Sequence, residues 1–160
     1  MQKLFQGFFL MFVLSSPLVL HAQIPPVANP DHERMLASVD PKLAANKRLV
    51  YDFWREVLEA RHMDLANKYL TESYIQHNPN VATGRAALVK YFSQFPTTPI
   101  AAHVKAPLIN IVAEGDLVIV CSVQPMPDAK DPSKSYTTTQ FDMFRIEGGK
   151  IAEHWDPDRK

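Results

Sequence analysis

The chain has 160 residues with 17 basic and 17 acidic side chains, so its formal net charge is zero. This length is typical of one domain. A balanced charge lacks the basic excess of a nucleic-acid-binding surface, so we expect no nucleic-acid partner. The single cysteine, Cys121, excludes an internal disulfide, and stability must therefore come from a hydrophobic core.

The first 22 residues have the pattern of a secretory signal peptide. Lys3 supplies a positive start, Leu4 to Leu14 is an almost unbroken apolar run, and Ala22 is a small residue suited to cleavage. The run is shorter than the ~20 residues of a membrane-spanning helix. We therefore predict an exported protein, periplasmic or secreted, with no stable membrane span after cleavage.

Residues 23–41 are predicted to be a linker, because prolines interrupt a polar stretch that has no periodicity. One domain then follows over residues 42–157. Its first predicted helix starts with Asp40 as N-cap and Pro41 at the first helical position, and runs to about residue 60. Apolar residues recur there at spacings of three and four: Leu49, Val50, Phe53, Trp54, Val57 and Leu58.

Two shorter helices are predicted after the first one. Asp64 is expected to cap a helix that ends at Leu70, and Thr83 is expected to cap one that runs from Gly84 to Phe95. The segment between these helices, which ends in the sequence YIQHNPN, is predicted to be a short strand or an extended turn.

Residues 102–156 are predicted to form strands, with hairpin turns at 114–116 and 148–149 and a polar loop at 125–135. Helices followed by antiparallel strands predict an α+β fold. A curved antiparallel sheet has a concave face, and three N-terminal helices across that face would enclose a cone-shaped apolar pocket. Such a pocket suits a small apolar molecule.

The sequence contains none of the common motifs for nucleotide, zinc or serine-hydrolase sites. The five histidines beyond residue 22 do not pair at the spacing of metal ligands on one helix. These observations predict a site that uses neither a metal nor a cofactor.

Asp142 is the sharpest candidate for a functional group, because it lies between Phe141 and Met143 in a strand of large apolar residues. Carboxylates are rarely buried without a partner. Asp142 is therefore either an acid or base inside the pocket, or a surface group that pairs with Arg145 or Lys150.

His154 raises a question of strand geometry. With a two-residue turn at 148–149, Asp142 lies opposite Trp155, and Met143 lies opposite His154. Opposed residues share a face of the sheet, so a regular hairpin places Asp142 and His154 on opposite faces and gives them different roles. Only a β-bulge that shifts the register by one residue would bring both into the pocket.

Other candidates have both a functional and a structural interpretation. His77 precedes Asn78 and Pro79, and is either an imidazole at the pocket mouth or a turn histidine bonded to backbone. Cys121 is predicted to be a small buried hydrophobe. Five aromatic residues are candidates for the pocket wall or for ordinary core: Tyr51, Trp54, Tyr74, Phe144 and Trp155.

Several blocks of the sequence resemble the SnoaL-like polyketide cyclase branch of the nuclear transport factor 2-like superfamily over about residues 43–156. They are YDFWREVLEA, DLANKYLTESYIQHNPN, GRAALVKYF, EGDLVIV and FDMFRIEGGKIAEHWD. The resemblance implies a cone-shaped α+β barrel with a deep pocket, and a homodimer joined through the outer face of the sheet.

The resemblance also implies a chemistry. Cyclases of this family close a ring by intramolecular aldol condensation without metal or cofactor, using an aspartate and a histidine. These roles carry over to Asp142 and His77 here. Many relatives carry a further histidine at the position of Cys121, and this chain departs from them there.

Two functions follow from these observations. The first is a cofactor-free enzyme, such as an aldol-type cyclase, an isomerase or a dehydratase, acting on a small carbonyl-containing substrate. Asp142 would take a proton next to the carbonyl, with His77, His154 or Tyr74 assisting. The alternative is a periplasmic module that binds a small ligand without turning it over. A third interpretation is a structural dimer with a vestigial cavity.

Overall fold

The computed structural model describes residues 24–157, so the predicted signal peptide lies outside the described residues. The helices are α1 (His32–Leu36), α2 (Pro41–Phe53), α3 (Ala66–Tyr69) and α4 (Arg85–Phe92), with a π-helix at Trp54–Glu59 and a 3-10 helix at Met63–Leu65. The strands are β1 (Leu70–Gln76), β2 (Leu108–Glu114), β3 (Leu117–Pro127), β4 (Ser135–Glu147) and β5 (Lys150–Trp155). Within residues 24–157, every helix is too short or too polar to cross a membrane.

The long first helix starts where the sequence predicts. The Asp40 carboxylate accepts hydrogen bonds from the backbone N–H groups of Lys42 and Leu43, and Pro41 occupies the first turn. After Phe53 the helix continues with π geometry to Glu59, so the predicted end near residue 60 is confirmed although the hydrogen-bond pattern changes. Its apolar side packs on the sheet.

The later helices differ from the prediction in detail. The second is a 3-10 turn followed by α3, and Leu70 already belongs to β1. The third, α4, ends at Phe92 rather than Phe95. Thr83 does not cap α4, because its hydroxyl instead pairs with the backbone N–H and C=O of Gln76.

Helix α1 lies inside the segment that the sequence predicts to be a linker. Asp31 caps it by accepting a hydrogen bond from the backbone N–H of Arg34. Met35 and Leu36 are buried in the main core, and the Lys47 ammonium donates to the carbonyl of Met35. These contacts anchor the short segment against the domain.

The five strands form one sheet in the order β1-β5-β4-β3-β2. The α+β class is confirmed, but the sheet is mixed rather than purely antiparallel, because β1 pairs in parallel with β5. The other three pairings are antiparallel. A parallel neighbour needs a long crossover, and here it comprises α4 and the three strands that precede β5 in the chain.

The β4–β5 hairpin contains the β-bulge on which the sequence prediction depends. Gly148 and Gly149 form the turn with positive φ angles of 56° and 75°, as a two-residue hairpin loop requires. Ile146 then pairs with Ile151, whereas the next pair is Arg145 with Glu153, so Ala152 is an extra residue in β5. The expectation of a regular hairpin, with Asp142 opposite Trp155, is therefore wrong.

The core fills the space between α2 and the inner face of the sheet. The Phe53 ring lies 6.0 Å from that of Tyr69 and 6.3 Å from that of Phe144, measured between centroids. Val50, Phe53 and Val57 on the long helix are at most 1% exposed. Because these side chains occupy the inner face, the space left for a ligand is a cleft towards one end of the sheet rather than a cone enclosed by three helices.

Candidate active site

Asp142 and His154 form a hydrogen-bonded pair on the inner face of the sheet. The bulge at Ala152 places His154 opposite Phe144, and Asp142 shares the face of Phe144 because side chains alternate along β4. His154 Nε2 lies 3.1 Å from Asp142 Oδ1, and both residues are 7% exposed. A buried carboxylate beside an imidazole is an arrangement that can accept and return a proton.

The His154 ring is held in its plane by Phe144. The two rings stack with 4.3 Å between centroids and an angle of 3° between planes. Phe144 is completely buried and is itself packed edge-on by Trp54, at 6.3 Å. Phe144, predicted to line the pocket, thus supports the site from behind through its contact with the imidazole.

A second group of polar side chains surrounds the other ring nitrogen. His154 Nδ1 lies 3.1 Å from Gln76 Nε2, and the same amide nitrogen donates to the Tyr74 hydroxyl at 3.1 Å. Burial, followed by the negative charges of Asp156 and Asp142, raises the pKa of Tyr74, so its hydroxyl stays protonated throughout the physiological range. Tyr74 is fully buried behind the pair.

Asp156 completes this cluster. Its Oδ2 lies 3.8 Å from His154 Nδ1, and both of its carboxylate oxygens accept from Asn78 Nδ2, at 2.9 and 3.0 Å. One ligand-type atom from each of Asp142, His154 and Asp156 lies within 4.8 Å of the others. A cation there would compete with hydrogen bonds already made by these groups, so the arrangement resembles a proton relay more than a metal cage.

The pair adjoins an open cleft of about 660 Å³. Asp142 is the only charged residue that lines it among residues 24–157, and His154 lies behind Asp142 rather than in the wall. Trp54 forms part of the wall. The wall also contains several uncharged polar side chains, so the cleft is more polar than the predicted apolar pocket. Examples are Ser122, Gln124, Thr138 and Gln140.

Two residues predicted at the site lie on the opposite face of the sheet. His77 stacks on Trp155 with 4.9 Å between ring centroids, and its Nε2 lies 2.8 Å from Glu153 Oε1. Trp155 pairs with Met143, one position away from the face of Asp142. Trp155 is therefore not in the pocket wall, because the bulge in β5 moves it to the outer face. His77, which follows β1, lies against Trp155 on that face and not at a pocket mouth.

Tyr51 lies in the core, away from the cleft. Its hydroxyl accepts from the backbone N–H of Val104 at 3.0 Å and lies 2.7 Å from His32 Nδ1. Burial raises the pKa of Tyr51, although the Val104 hydrogen bond opposes this. Tyr51 therefore connects α1, α2 and the segment before β2, which is a structural task.

Cys121 also points away from the cleft. It pairs with Phe141 across the β3–β4 ladder, whereas Val120 pairs with Asp142. Because alternate residues face opposite sides, position 121 lies on the outer face. Partial burial raises the pKa of the thiol. The departure from relatives at this position therefore does not remove a group from the cleft of this chain.

Sequence reasoning assigned no role to Gln76, Asp156 or Ser122. Gln76 follows Tyr74 by two positions, so the two share a face of β1. This alternation is the sequence signal that places Gln76 on the same side as Tyr74. Asp156 follows His154 by the same spacing. Ser122 is only 5% exposed and lines the cleft beside Gln140, its partner across the ladder.

The mixed sheet, the long helix on its inner face and the buried polar pair define an α+β domain of the nuclear transport factor 2-like type. The sequence matches the family model described as SnoaL-like polyketide cyclase over residues 48–158. The chain belongs to this family. No curated protein sequence matches it.

Solved structures of the same fold share little sequence with this chain. An LEH-like epoxide hydrolase from M. tuberculosis aligns at 13% identity and a TM-score of 0.50, covering 72% of this chain and 84% of that one. TsrD from Streptomyces laurentii aligns at 21% identity and a TM-score of 0.47, covering 74% and 90%. An NTF2-like protein from Burkholderia pseudomallei aligns at 15% identity and a TM-score of 0.47, covering 72% and 91%. At such identities, likeness concerns the fold.

Proposed function

We propose that this protein is a cofactor-free enzyme that removes and returns a proton at the carbon next to a carbonyl group of a small substrate. The observation that carries the proposal is the Asp142–His154 hydrogen bond of 3.1 Å, buried at the wall of the cleft. Proton abstraction of this kind begins aldol-type cyclisation, isomerisation and dehydration alike, so the proposal covers these three reactions.

In the proposed step the hydrogen bond from His154 Nε2 occupies Oδ1 of Asp142, and Oδ2 takes the proton. The electron pair of the broken C–H bond moves to the carbonyl oxygen and forms an enolate. The Ser122 hydroxyl and the Gln140 amide line the cleft on the same face as Asp142, and either can donate a hydrogen bond to that oxygen. Asp142 then returns the proton to carbon in an isomerisation, to the alkoxide that forms when the enolate carbon attacks a second carbonyl, or to a leaving hydroxyl group that departs as water.

The test follows hydrogen–deuterium exchange at the acidic carbon of neutral probe ketones in D2O by proton NMR, using acetylacetone and 1-phenyl-1,3-butanedione. Wild-type protein should accelerate exchange, and Asp142→Asn should lose at least about 10²-fold. His77→Asn is the matched control, because His77 lies on the other face and its loss should leave exchange unchanged. Dialysis against EDTA should also have no effect.

A ligand-binding module without turnover is the second candidate. The cleft is open and has both apolar and uncharged polar side chains in its wall, which suits reversible binding of a neutral molecule. Binding of the same ketones by wild-type protein, with no exchange and with equal affinity in Asp142→Asn, would support this function and overturn the proposed enzyme.

We also propose that the protein is exported and dimeric, on separate grounds. Export is supported by the signal-peptide pattern of residues 1–22. A homodimer is supported by the outer face of the sheet, where apolar side chains meet across three strands: Val112, Ile119, Cys121, Phe141 and Met143. Val112 and Phe141 are 47% and 56% exposed there.

A further inference from the structure

His154 has a polar partner at each ring nitrogen, and the two partners are chemically different. Asp142 Oδ1 lies 3.1 Å from Nε2, and Gln76 Nε2 lies 3.1 Å from Nδ1. A carboxylate oxygen can only accept a proton in a hydrogen bond unless it is itself protonated, whereas an amide NH2 group can only donate one. The Asp142 carboxylate therefore calls for a proton on Nε2, and the Gln76 atom that faces the ring decides whether Nδ1 can carry a second one.

The orientation of the Gln76 amide is fixed by a backbone group. Its Oε1 accepts from the backbone N–H of Asn78 at 3.0 Å. A backbone N–H cannot accept, so the oxygen must occupy this side of the amide and the NH2 must point the other way. That NH2 also donates to the Tyr74 hydroxyl at 3.1 Å. Reversing the amide would lose the Asn78 hydrogen bond and place two donors face to face.

We propose that Gln76 is a positioning residue that holds His154 as the neutral tautomer protonated at Nε2. Nδ1 accepts from the Gln76 amide, and the single ring proton lies on Nε2, where it donates to Oδ1 of Asp142. The stacked Phe144 ring, 4.3 Å away, keeps the imidazole in the plane that both bonds need. The pair then has one negative charge, located on Asp142.

Asp156 is the charged group that competes with this arrangement. Its carboxylate would favour a second proton on Nδ1, but its Oδ2 lies 3.8 Å away, beyond hydrogen-bond distance, while Gln76 lies at 3.1 Å. Both Asp156 oxygens accept hydrogen bonds from Asn78 Nδ2, at 2.9 and 3.0 Å. The carboxylate is thus held by a donor other than the His154 ring. Tyr74 is the other titratable group nearby, and burial keeps it neutral.

The consequence for chemistry rests on the proposed function. A neutral His154 donates to Asp142 without neutralising it, so the carboxylate remains a base with Oδ2 available. An imidazolium would instead neutralise the pair and make Asp142 a weaker base. Gln76 thereby determines whether the pair is poised to remove a proton, although it contacts neither the cleft nor the reacting carbon.

The test is 15N NMR of the imidazole nitrogens of His154 in labelled protein near neutral pH. The wild-type spectrum should show one protonated nitrogen, Nε2, and one unprotonated nitrogen, Nδ1. Gln76→Glu replaces the donor by an acceptor and should show both nitrogens protonated. Gln76→Leu removes the donor but keeps Asp142 as the acceptor, so Nε2 should stay protonated and part of the population should carry a second proton on Nδ1. Gln94→Glu, an exposed change of the same kind, is the control and should leave the His154 signals unchanged.

The outcomes separate this inference from the proposed enzyme. A protonated Nδ1 in wild type, or an unchanged spectrum in Gln76→Glu, overturns the role of Gln76 whatever the activity of the protein. The expected spectra with no ketone exchange keep the role of Gln76 and reject the enzyme. If both hold, Gln76→Glu should also lower exchange by about tenfold or more. Should Gln76→Leu not fold, Gln76→Glu still decides, because it retains an acceptor for Asn78.

Discussion

Phe144 lies opposite His154 in the β4–β5 hairpin, and this pairing exists because Ala152 is an extra residue in β5. A strand presents alternate residues to opposite faces, so one added residue exchanges the faces of everything beyond it. The bulge therefore brings His154 to the face of Asp142, 12 positions earlier in the chain. It also sends Trp155 to the outer face.

Deleting Ala152 should keep the pair together. Without the extra residue, Glu153 would follow Ile151 directly and still pair with Arg145, so His154 would still lie opposite Phe144. We expect the NOE contacts between the His154 and Phe144 ring protons to remain and any ketone exchange to stay within about tenfold of wild type. Ala152→Gly keeps the residue count and is the control. Loss of the ring contacts in the deletion variant would contradict the assignment of Ala152 as the extra residue.

Replacing Cys121 by histidine, the residue that many relatives carry, should not raise activity. Position 121 faces away from the cleft, because its neighbour Val120 is the residue paired with Asp142. We expect ketone exchange by Cys121→His to stay within about twofold of wild type, since outer-face changes do not alter the wall of the cleft. A tenfold gain would mean that residue 121 reaches Asp142 after all.

Glu56→Gln should destabilise the fold in a pH-dependent way. Burial tends to raise the pKa of Glu56, but hydrogen bonds from Tyr69 and Lys68 and the nearby Arg55 charge outweigh it, so the net pKa is lowered. A lowered pKa in the folded state contributes stability above the unfolded value of about 4.3, and this is lost as pH falls through the folded value.

Urea unfolding checks this prediction. At pH 7 the substitution should cost about 1.5–3 kcal/mol, the range for hydrogen bonds to a charged group. The difference from wild type should shrink as the pH falls below about 4. Glu33→Gln, whose exposed partner is Arg48, is the matched control and should cost no more than about 1 kcal/mol. An equal loss of unfolding free energy at pH 7 and below pH ~4 would show that packing, and not charge, explains the effect.

Tyr51→Phe should weaken the attachment of α1. The substitution leaves the buried N–H of Val104 without its acceptor and removes the contact with His32. We expect a cost of about 1–3 kcal/mol in the free energy of unfolding, and faster amide hydrogen exchange over residues 32–36. Tyr91→Phe changes an exposed tyrosine and should do neither. Unchanged exchange in α1 would show that Met35 and Leu36 alone hold it.

Phe141→Asp should convert the proposed dimer into monomers. Phe141 is the most exposed of the large apolar side chains on the outer face of the sheet, and a carboxylate there would have to lose its water at an interface. Light scattering after size-exclusion chromatography should give twice the chain mass for wild type and one chain mass for the variant. A monomeric wild type rejects the dimer directly.

Local signals in the sequence were sufficient for most of the elements. The Asp40–Pro41 start of α2, the glycine turn at 148–149 and the long apolar strands depend on caps, φ angles and alternation, which neighbouring residues determine. The α+β class follows from their order. Asp142 could also be identified from local sequence, because a carboxylate among apolar strand residues is unusual whatever its partners are.

Only the tertiary structure decided which side chains meet. The parallel pairing of β1 with β5 brings Gln76 beside His154, although 78 positions separate them. The single extra residue at Ala152 selects the face on which His154 lies, and a bulge has no strong local signature in the sequence. The sequence by itself thus determined the elements and the acidic candidate, while long-range strand register decided that His154, and not His77, is the partner of Asp142.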